Sequence, residues 1–368
     1  MTIREQLAKL KPTTPRGPFP TLAWAWPTGE RDLLLRAAIM PDLAKAAAAY
    51  DEWQKTVPFE NAYMATQRLL VAISYRMPES ILPAVDRARL KGVERKLWSQ
   101  CMVALKAAEP ALAAIEQAGV DVMVFKGAAR SALDISDLRG RYAAELDLLV
   151  RPQEYVRTWD AIEAAGWKYV VGFRPNLGRL IGANLTRGKE DELDLHKYPY
   201  HQLLLSDVTP DGLWARATKH RFFGHDVFVP SATDRLLMAI AHGGIGGHEN
   251  SDWLVDSALL VQGGEVDWPL FIELARQRGT SSHAAIALSY LAGPLEVPVP
   301  KEPLARLISA SRWHPLQRAS ALLQSRPKRE HSIWSALGRG IARGLRMLRK
   351  DLMIRRVEAE RERLAAKA

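Results

Sequence analysis

The chain has 368 residues, of which 48% are hydrophobic and 25% are charged, and its formal net charge is +10. This composition is ordinary for a folded globular protein, and the length allows two or three domains. The single cysteine, Cys101, excludes a disulfide framework within the chain. No run of eighteen apolar residues predicts a transmembrane helix, so we expect a cytoplasmic protein.

The positive charge is concentrated in the C-terminal tail. Residues 326–350 contain eight basic residues and one acidic residue, and residues 351–368 contain five basic and four acidic residues. The tail therefore carries +8 of the total charge, and the rest of the chain is nearly neutral. Nucleic-acid binding requires clustered lysines and arginines, so the neutral remainder argues against a nucleic-acid partner.

The first 118 residues predict a proline-rich arm followed by a helical subdomain. Proline is frequent up to about residue 28, and prolines also separate the helical patterns that follow. These patterns cover residues 32–40, 43–55, 60–75 and, as one long helix, 81–118.

Residues 119–230 predict a sheet-containing core. The apolar run 122–125 is typical of a buried strand, and Gly127 after it permits a sharp turn. In the run 145–150 polar and apolar residues alternate, so Glu145 and Asp147 share one face of a strand. Two adjacent carboxylates repel each other unless a cation lies between them, and a divalent metal is the usual cation.

A second polar strand follows in the same region. After a helix over residues 155–165, the pattern predicts a strand over 167–173 and a hairpin formed by residues 180–186 and 192–196. Alternation along residues 192–196 places Asp194 and His196 on one face. A short helix over 214–220 and a last strand over 225–229 complete this core.

The remaining sequence predicts helices, with residues 231–315 as a bundle and 316–368 as a basic tail. The glycine run 243–247 is interpreted as a loop that ends the first of these helices. Residues 331–365 form one amphipathic pattern with a row of basic residues beside an apolar stripe. This composition suits a helix lying on an anionic membrane surface or a partner protein, and packing within the molecule is the alternative.

Three motifs in the core carry a resemblance to a known family. They are Phe125-Lys126-Gly127, the strand Glu145-Leu146-Asp147-Leu148-Leu149-Val150 preceded by Arg141, and Asp194-Leu195-His196. This order resembles the nucleotidyltransferase superfamily typified by DNA polymerase beta, and more closely an uncharacterised bacterial nucleotidyltransferase family. The resemblance implies an α+β fold with a polymerase-beta-like mixed sheet, flanked by N-terminal and C-terminal helical subdomains.

The same resemblance implies a reaction and a site. The reaction would transfer a nucleoside monophosphate from a nucleoside triphosphate to an unidentified acceptor with two Mg²⁺ or Mn²⁺ ions. The metal-binding and catalytic residues would be Glu145, Asp147 and Asp194. The nucleotide-binding residues would be Lys126, Gly127, Arg130 and Arg141.

Two departures from the family pattern keep an alternative open. Glu145 stands where many relatives have aspartate, and the glycine turn lacks the serine of polymerase-type members. The alternative is a catalytically silent nucleotide-binding or scaffold protein that its basic tail tethers to the inner face of a membrane or to a partner. In that case the three carboxylates would pair with neighbouring basic side chains, and His196 would be an ordinary hairpin histidine.

Overall fold

The computed structural model describes residues 21–188, 192–246, 250–312, 315–326 and 333–366. Within these ranges, none of the helices combines the length and the apolar character that crossing a membrane requires.

Five α-helices precede the sheet in the part of the chain that the structure describes. They are α1 (Gly29–Ile39), α2 (Leu43–Thr56), α3 (Met64–Arg76), α4 (Ala84–Ala107) and α5 (Glu109–Gln117). The prediction of one helix over residues 81–118 is wrong, because the chain breaks at Ala108 between α4 and α5. Pro110 in the first turn of α5 cannot donate a backbone hydrogen bond to the preceding turn, so a continuous helix is interrupted there.

Seven strands form one mixed sheet in the described part of the chain. They are β1 (Met123–Val124), β2 (Leu146–Leu149), β3 (Lys168–Tyr169), β4 (Gly182–Thr186), β5 (Glu192–His196), β6 (Thr218–Phe222) and β7 (His225–Val229). Their order is β3-β4-β5-β2-β1-β7-β6. Parallel pairing of β2 with β5 and antiparallel pairing of β1 with β2 make the sheet mixed. The predicted α+β class is therefore confirmed.

Two predictions around the sheet need correction. The strand expected over residues 167–173 is limited to β3, because Gly172 (φ 87°) turns the chain with a hydrogen bond to Tyr169. The helix expected over residues 214–220 is wrong, since residues 218–222 form β6. Phe223 and Gly224 both have positive φ, and this tight turn joins β6 to β7 as a hairpin.

Three short helices cover or connect the strands: α6 (Ala128–Leu133), α7 (Tyr155–Ala164) and α8 (Asp211–Ala215). Leu146 and Leu148 of β2 are fully buried against a core that also contains residues of α5, α6 and α7. This packing fixes β2, so the polar residues on its other face have defined positions.

Seven further α-helices follow the sheet among the described residues. They are α9 (Ala232–Gly246), α10 (Asp252–Gln262), α11 (Trp268–Gln277), α12 (Ser281–Ala292), α13 (Lys301–Arg312), α14 (Pro315–Ser325) and α15 (Ile333–Ala365). The predicted loop over the glycine run is wrong as far as Gly246, because α9 continues to that residue. A Cβ atom on Gly243 would collide with the Trp253 ring, so this glycine allows α9 and α10 to approach. Residues 247–249 lie outside the described residues.

Helices from both ends of the chain share one large core. Leu35 of α1 and Leu70 of α3 belong to the same buried cluster as Leu237 of α9 and Leu288 of α12. The helices before and after the sheet therefore pack together rather than around separate centres.

The long helix α15 has two different halves. Ile354 and Val357 are buried with Tyr198 and Leu203, and Lys197 Nζ donates to Glu358 Oε1 over 2.7 Å. In the first half, four stripe residues are each more than half exposed: Leu337, Ile341, Leu345 and Leu348. Leu352, just after the midpoint, is exposed to a similar extent. Packing within the molecule thus accounts for the second half of the predicted tail helix and leaves the first half largely uncovered among the described residues.

Candidate functional site

The site begins at the turn between β1 and α6. Lys126 adopts a positive φ of 54°, which is strained for a residue with a side chain. Gly127 has ordinary helical angles, so the expectation that glycine makes the sharp turn is wrong. A Cβ on Gly127 would lie 3.3 Å from Arg141 Nη2, and the glycine therefore provides space for that guanidinium.

The Lys126 ammonium contacts three polar side chains from the central strands. Its Nζ lies 2.6 Å from Asp147 Oδ1, 3.2 Å from Asp194 Oδ2 and 3.2 Å from His196 Nε2. Asp147 and Asp194 are register partners on the parallel strands β2 and β5, so their side chains emerge on the same face. The ammonium therefore lies between Asp147 and Asp194, two of the three carboxylates that the family resemblance assigns to the metal site.

The His196 ring is positioned by contacts with Asp194 and Phe125 and by the absence of a side chain at Gly182. Its Nε2 lies 2.6 Å from Asp194 Oδ2, and its ring packs edge-on against Phe125 with centroids 5.0 Å apart. Gly182 is the cross-strand partner of His196, and a Cβ there would collide with the imidazole. Within the described residues His196 Nδ1 is buried and has no hydrogen-bond partner.

The pKa values of the carboxylates in the site are shifted in opposite directions. Burial raises the pKa of Asp147, and the Asp194 charge adds to this while Lys126 opposes it. Burial also raises the pKa of Glu145, with further contributions from Asp147 and Asp194. Burial disfavours ionisation of Asp194 too, but His196 and Lys126 outweigh it and hold the pKa of Asp194 well below its usual range. The surroundings thus favour the ionised form of Asp194 and disfavour the ionised forms of Asp147 and Glu145.

A cleft of about 470 Å³ opens beside these carboxylates, a volume in the range of small-ligand sites. Glu145 precedes β2, is exposed, and lines the cleft together with Asp147 and Glu192. Lys126 lines it as well, whereas Asp194 and His196 contact Lys126 without contributing to its lining. The cleft therefore has an acidic wall formed by β2 and β5.

An Arg–Asp cluster, made of Arg68, Arg130, Arg141, Asp252 and Asp256, lies beside the cleft, and its members Arg68, Arg141 and Asp252 form a second wall of it. Arg141 Nε lies 2.9 Å from Asp256 Oδ2, and its Nη1 also pairs with Asp252. Arg130 Nη1 lies 2.9 Å from Asp256 Oδ1, and Arg68 Nε donates to Asp252 over 2.8 Å. Burial of Asp256 opposes ionisation, but the two arginines outweigh it and lower the pKa of Asp256. Each charge in this cluster has a partner of opposite sign.

The sequence-predicted residues therefore fall into two groups. Lys126, Asp147 and Asp194 meet directly, and Gly127 and Glu145 line the cleft beside them. Arg130 and Arg141 belong to the Arg–Asp cluster: they form ion pairs with Asp256 and not with Asp147 or Asp194.

Two neighbours were not predicted as site residues. His196 shares a face of β5 with Asp194, and that alternation was the signal for it, although the sequence left its role open. Arg68 lies on α3, and no motif around it points to the cleft.

The donor set fits a divalent cation. One ligand atom each from Asp147, Asp194 and His196 lies within 4.8 Å of the others. Two carboxylates suit Mg²⁺ or Mn²⁺, while the ammonium between them supplies the balancing charge in this structure. Glu145 lies outside this three-atom group among the described residues, so it can join a metal site only from the cleft side.

Comparison with known proteins identifies the chain at the level of a family. A family model described as "Uncharacterised nucleotidyltransferase" matches residues 60–295. No curated protein and no solved structure matches the chain. The matched range covers well over half of the chain and includes β1, β2 and β5 with their polar residues. The chain therefore belongs to this uncharacterised nucleotidyltransferase family.

Proposed function

We propose that this protein transfers a nucleoside monophosphate from a nucleoside triphosphate to an acceptor hydroxyl and releases pyrophosphate. The observation that carries the proposal is the side-by-side placement of Asp147 and Asp194 on parallel central strands of a nucleotidyltransferase-family chain. Phosphoryl-type transfer depends mainly on positioning and on neutralising phosphate charge, and the cleft offers groups for both tasks.

Asp147 and Asp194 would hold a divalent cation, Mg²⁺ or Mn²⁺, with Glu145 as a further ligand from the cleft side. When bound, such an ion polarises a phosphoryl oxygen and stabilises developing negative charge. His196, 2.6 Å from Asp194, holds that carboxylate in position. In the two-metal form of the proposal, a second ion would be bound by Glu145 together with Asp147.

Lys126 binds the triphosphate in this proposal. Its ammonium lines the cleft and also touches both aspartates, so a phosphate oxygen at the base of the cleft lies within its reach. Arg141 lines the same cleft through the edge of the Arg–Asp cluster. Gly127 keeps the backbone beside Lys126 free of a side chain, and Arg130 supports Arg141 through their shared partner Asp256.

Where Glu145 does not serve as a metal ligand, its carboxylate is the group that accepts the proton of the attacking hydroxyl in this proposal. It lines the cleft, and partial desolvation there, together with the charges of Asp147 and Asp194, raises its pKa. A general base works best when its pKa lies near the working pH, and this argues against Asp194, whose pKa is lowered. Asp194 therefore acts as a ligand-holding group in this proposal.

The acceptor would enter from a second cavity on the other side of Lys126. This cavity, also about 470 Å³, shares Lys126, Gly127 and Arg141 with the cleft, and most of its lining is apolar, including Leu259 and Leu260. An acceptor with an apolar body fits this lining. Leu259→Trp would narrow the cavity, so we expect it to reduce transfer while nucleotide binding in the cleft is retained.

The test of the proposed function is a thermal-shift screen of nucleoside triphosphates with and without Mg²⁺ or Mn²⁺. Bound ligand stabilises the folded state by mass action, so a nucleoside triphosphate should add stability to wild type only when a divalent ion is also present. Asp147→Asn should abolish that gain. Asp121→Asn, which changes an exposed carboxylate paired with Arg151, should retain it. Full metal-dependent stabilisation of Asp147→Asn would contradict the site.

A second candidate function is a silent nucleotide-binding scaffold. It is favoured by the Lys126 ammonium, which already satisfies Asp147 and Asp194, and by glutamate at position 145. In this reading, residues 331–365 tether the protein to a membrane surface or a partner. Nucleotide binding that does not require a divalent ion, with no pyrophosphate release, would favour this function over transfer.

A further inference from the structure

A groove lies between α14 and the first half of α15, far from the acidic strands in sequence. Its volume is about 570 Å³, and apolar side chains from both helices line it, among them Leu316, Leu323, Ile341, Leu345 and Met353. Two of these, Ile341 and Leu345, belong to the exposed stripe of α15. The groove therefore continues the uncovered apolar surface into a cavity.

One side of the groove is cationic. Arg346, Arg349 and Lys350 of α15 line it, and no acidic side chain is found among the described residues of the lining. Arg346 Nη1 donates to the neutral Gln324 Oε1 over 2.9 Å. Burial lowers the pKa values of Arg346 and Lys350, because nothing in this part of the described chain compensates their desolvation. This contrasts with the Arg–Asp cluster, where each arginine has a carboxylate.

A buried histidine lies at the same groove. His283 is 8% exposed, and neither ring nitrogen has a hydrogen-bond partner within the described ranges. Burial, and then the charge of Arg346, lowers the pKa of His283 to about 4. The ring is thus neutral at neutral pH, and it adds no negative charge to the cationic side of the groove.

We propose that this groove binds an anionic amphiphile, with its apolar chain between α14 and α15 and its phosphate or carboxylate head at Arg346 and Lys350. Charge complementarity selects this occupant, since an anion relieves the uncompensated cations and a chain covers the apolar lining. The inference is independent of the proposed transferase activity.

The test is calorimetric titration of the full-length protein with lysophosphatidic acid below its micelle concentration. We expect one molecule to bind per chain. Lysophosphatidylcholine, which has the same kind of chain but a zwitterionic head, should bind at least tenfold more weakly, and inorganic phosphate alone should not bind measurably. Equal affinity for the two lipids, or no binding of either, would overturn the proposal.

Two variants and a matched control locate the site. Arg346→Gln/Lys350→Gln should lower the affinity at least tenfold, because it removes the charges at the groove. Arg343→Gln/Arg356→Gln removes the same charge from exposed positions of α15 outside the groove lining and should leave the affinity unchanged. Ala319→Trp narrows the groove without changing charge and should also weaken binding.

Each other result contradicts the proposal. Equal weakening by both double variants would mean that general electrostatic attraction binds the lipid. Unchanged affinity in a folded Ala319→Trp protein would mean that the apolar chain of the lipid does not bind in this groove. Binding to vesicles containing phosphatidic acid without binding of the monomeric amphiphile would assign the exposed stripe of α15 to a membrane surface instead.

Discussion

The Arg–Asp cluster and the acidic wall of the cleft contain similar numbers of charged residues, but the two regions differ in how these charges are paired. In the Arg–Asp cluster, Arg141 is 9% exposed in its side chain and pairs with Asp252 and Asp256. On the acidic wall, Lys126 pairs with both Asp147 and Asp194, and His196 lies 2.6 Å from Asp194. Glu145 has no cation within ion-pair distance among the described residues. Each charged side chain of the Arg–Asp cluster has a partner of opposite charge, whereas the carboxylates of the acidic wall outnumber their cationic partners.

We infer from this difference that the charges of the Arg–Asp cluster stabilise the fold, whereas the carboxylates of the acidic wall bind a cationic ligand. A buried ion pair is costly to break, because the remaining partner stays desolvated and unpaired. Surplus carboxylates destabilise the protein by mutual repulsion until a cation arrives. Substitutions on the two walls should therefore have effects that differ in size and in their response to divalent ions.

The largest effect is expected for Arg141→Met. It leaves Asp252 and Asp256 with less compensation in a buried setting, so the free energy of unfolding should fall by about 3–5 kcal/mol. Denaturant unfolding measures this loss, and added Mg²⁺ should not restore it. Arg157→Met, at an arginine that is 60% exposed in its side chain, should change stability by less than about 1 kcal/mol. A loss as small as that control would contradict a structural role for Arg141.

Lys126→Met should also destabilise the protein, by about 3 kcal/mol, since Asp147 and Asp194 lose their cation. The difference from Arg141→Met lies in rescue: millimolar Mn²⁺ should restore much of the loss, because a divalent ion can replace the ammonium between the carboxylates. Thermal melts with Mn²⁺ and with a chelator measure this. Failure of Mn²⁺ to stabilise the variant would mean that the two aspartates pair with lysine only.

Gly182→Ala tests whether the space for His196 is specific. The added Cβ would collide with the imidazole, so we expect about 1–3 kcal/mol of destabilisation from overpacking and weaker Mn²⁺ binding. Gly92→Ala in α4, where a Cβ meets nothing within 4 Å, should instead gain up to about 1 kcal/mol from helix propensity. Unchanged stability and Mn²⁺ binding in Gly182→Ala would show that the ring position is not important.

The smallest effect is expected for Glu145→Gln. The folded-state pKa of Glu145 is raised, so its ionised form destabilises the folded protein above that pKa. The variant should therefore be slightly more stable than wild type at pH 7, by less than about 1 kcal/mol because the side chain is exposed. The difference should vanish below about pH 4, where the carboxyl is protonated in both states. Urea unfolding across pH measures it, and a variant that is less stable at pH 7 would indicate an attractive partner for Glu145.

The acidic wall could be predicted from sequence because its signals are local. Alternation along residues 145–150 and 192–196 places Asp147 and Asp194 on strand faces, and the motif order indicates the family. The expected mixed sheet and the hairpin of β4 and β5 are confirmed.

The Arg–Asp cluster could not be predicted in the same way. Arg141 meets Asp252 and Asp256, which are 111 and 115 residues away, and no local pattern encodes that pairing. The glycine run was misread for the same reason, since the Trp253 ring that explains Gly243 lies on another helix. The conformation of Lys126 is likewise set by contacts with two other strands and not by its neighbours.

The most direct test of the central claim is Mn²⁺ binding to the metal-free protein, followed by electron paramagnetic resonance. We predict saturable binding to wild type that is lost in both Asp147→Asn and Asp194→Asn and retained in Asp121→Asn. Adding a nucleoside triphosphate should increase the fraction of Mn²⁺ bound to wild type, because both ligands meet in the cleft. Equal Mn²⁺ binding by wild type and the two central-strand variants would contradict the assignment of Asp147 and Asp194 as the metal site.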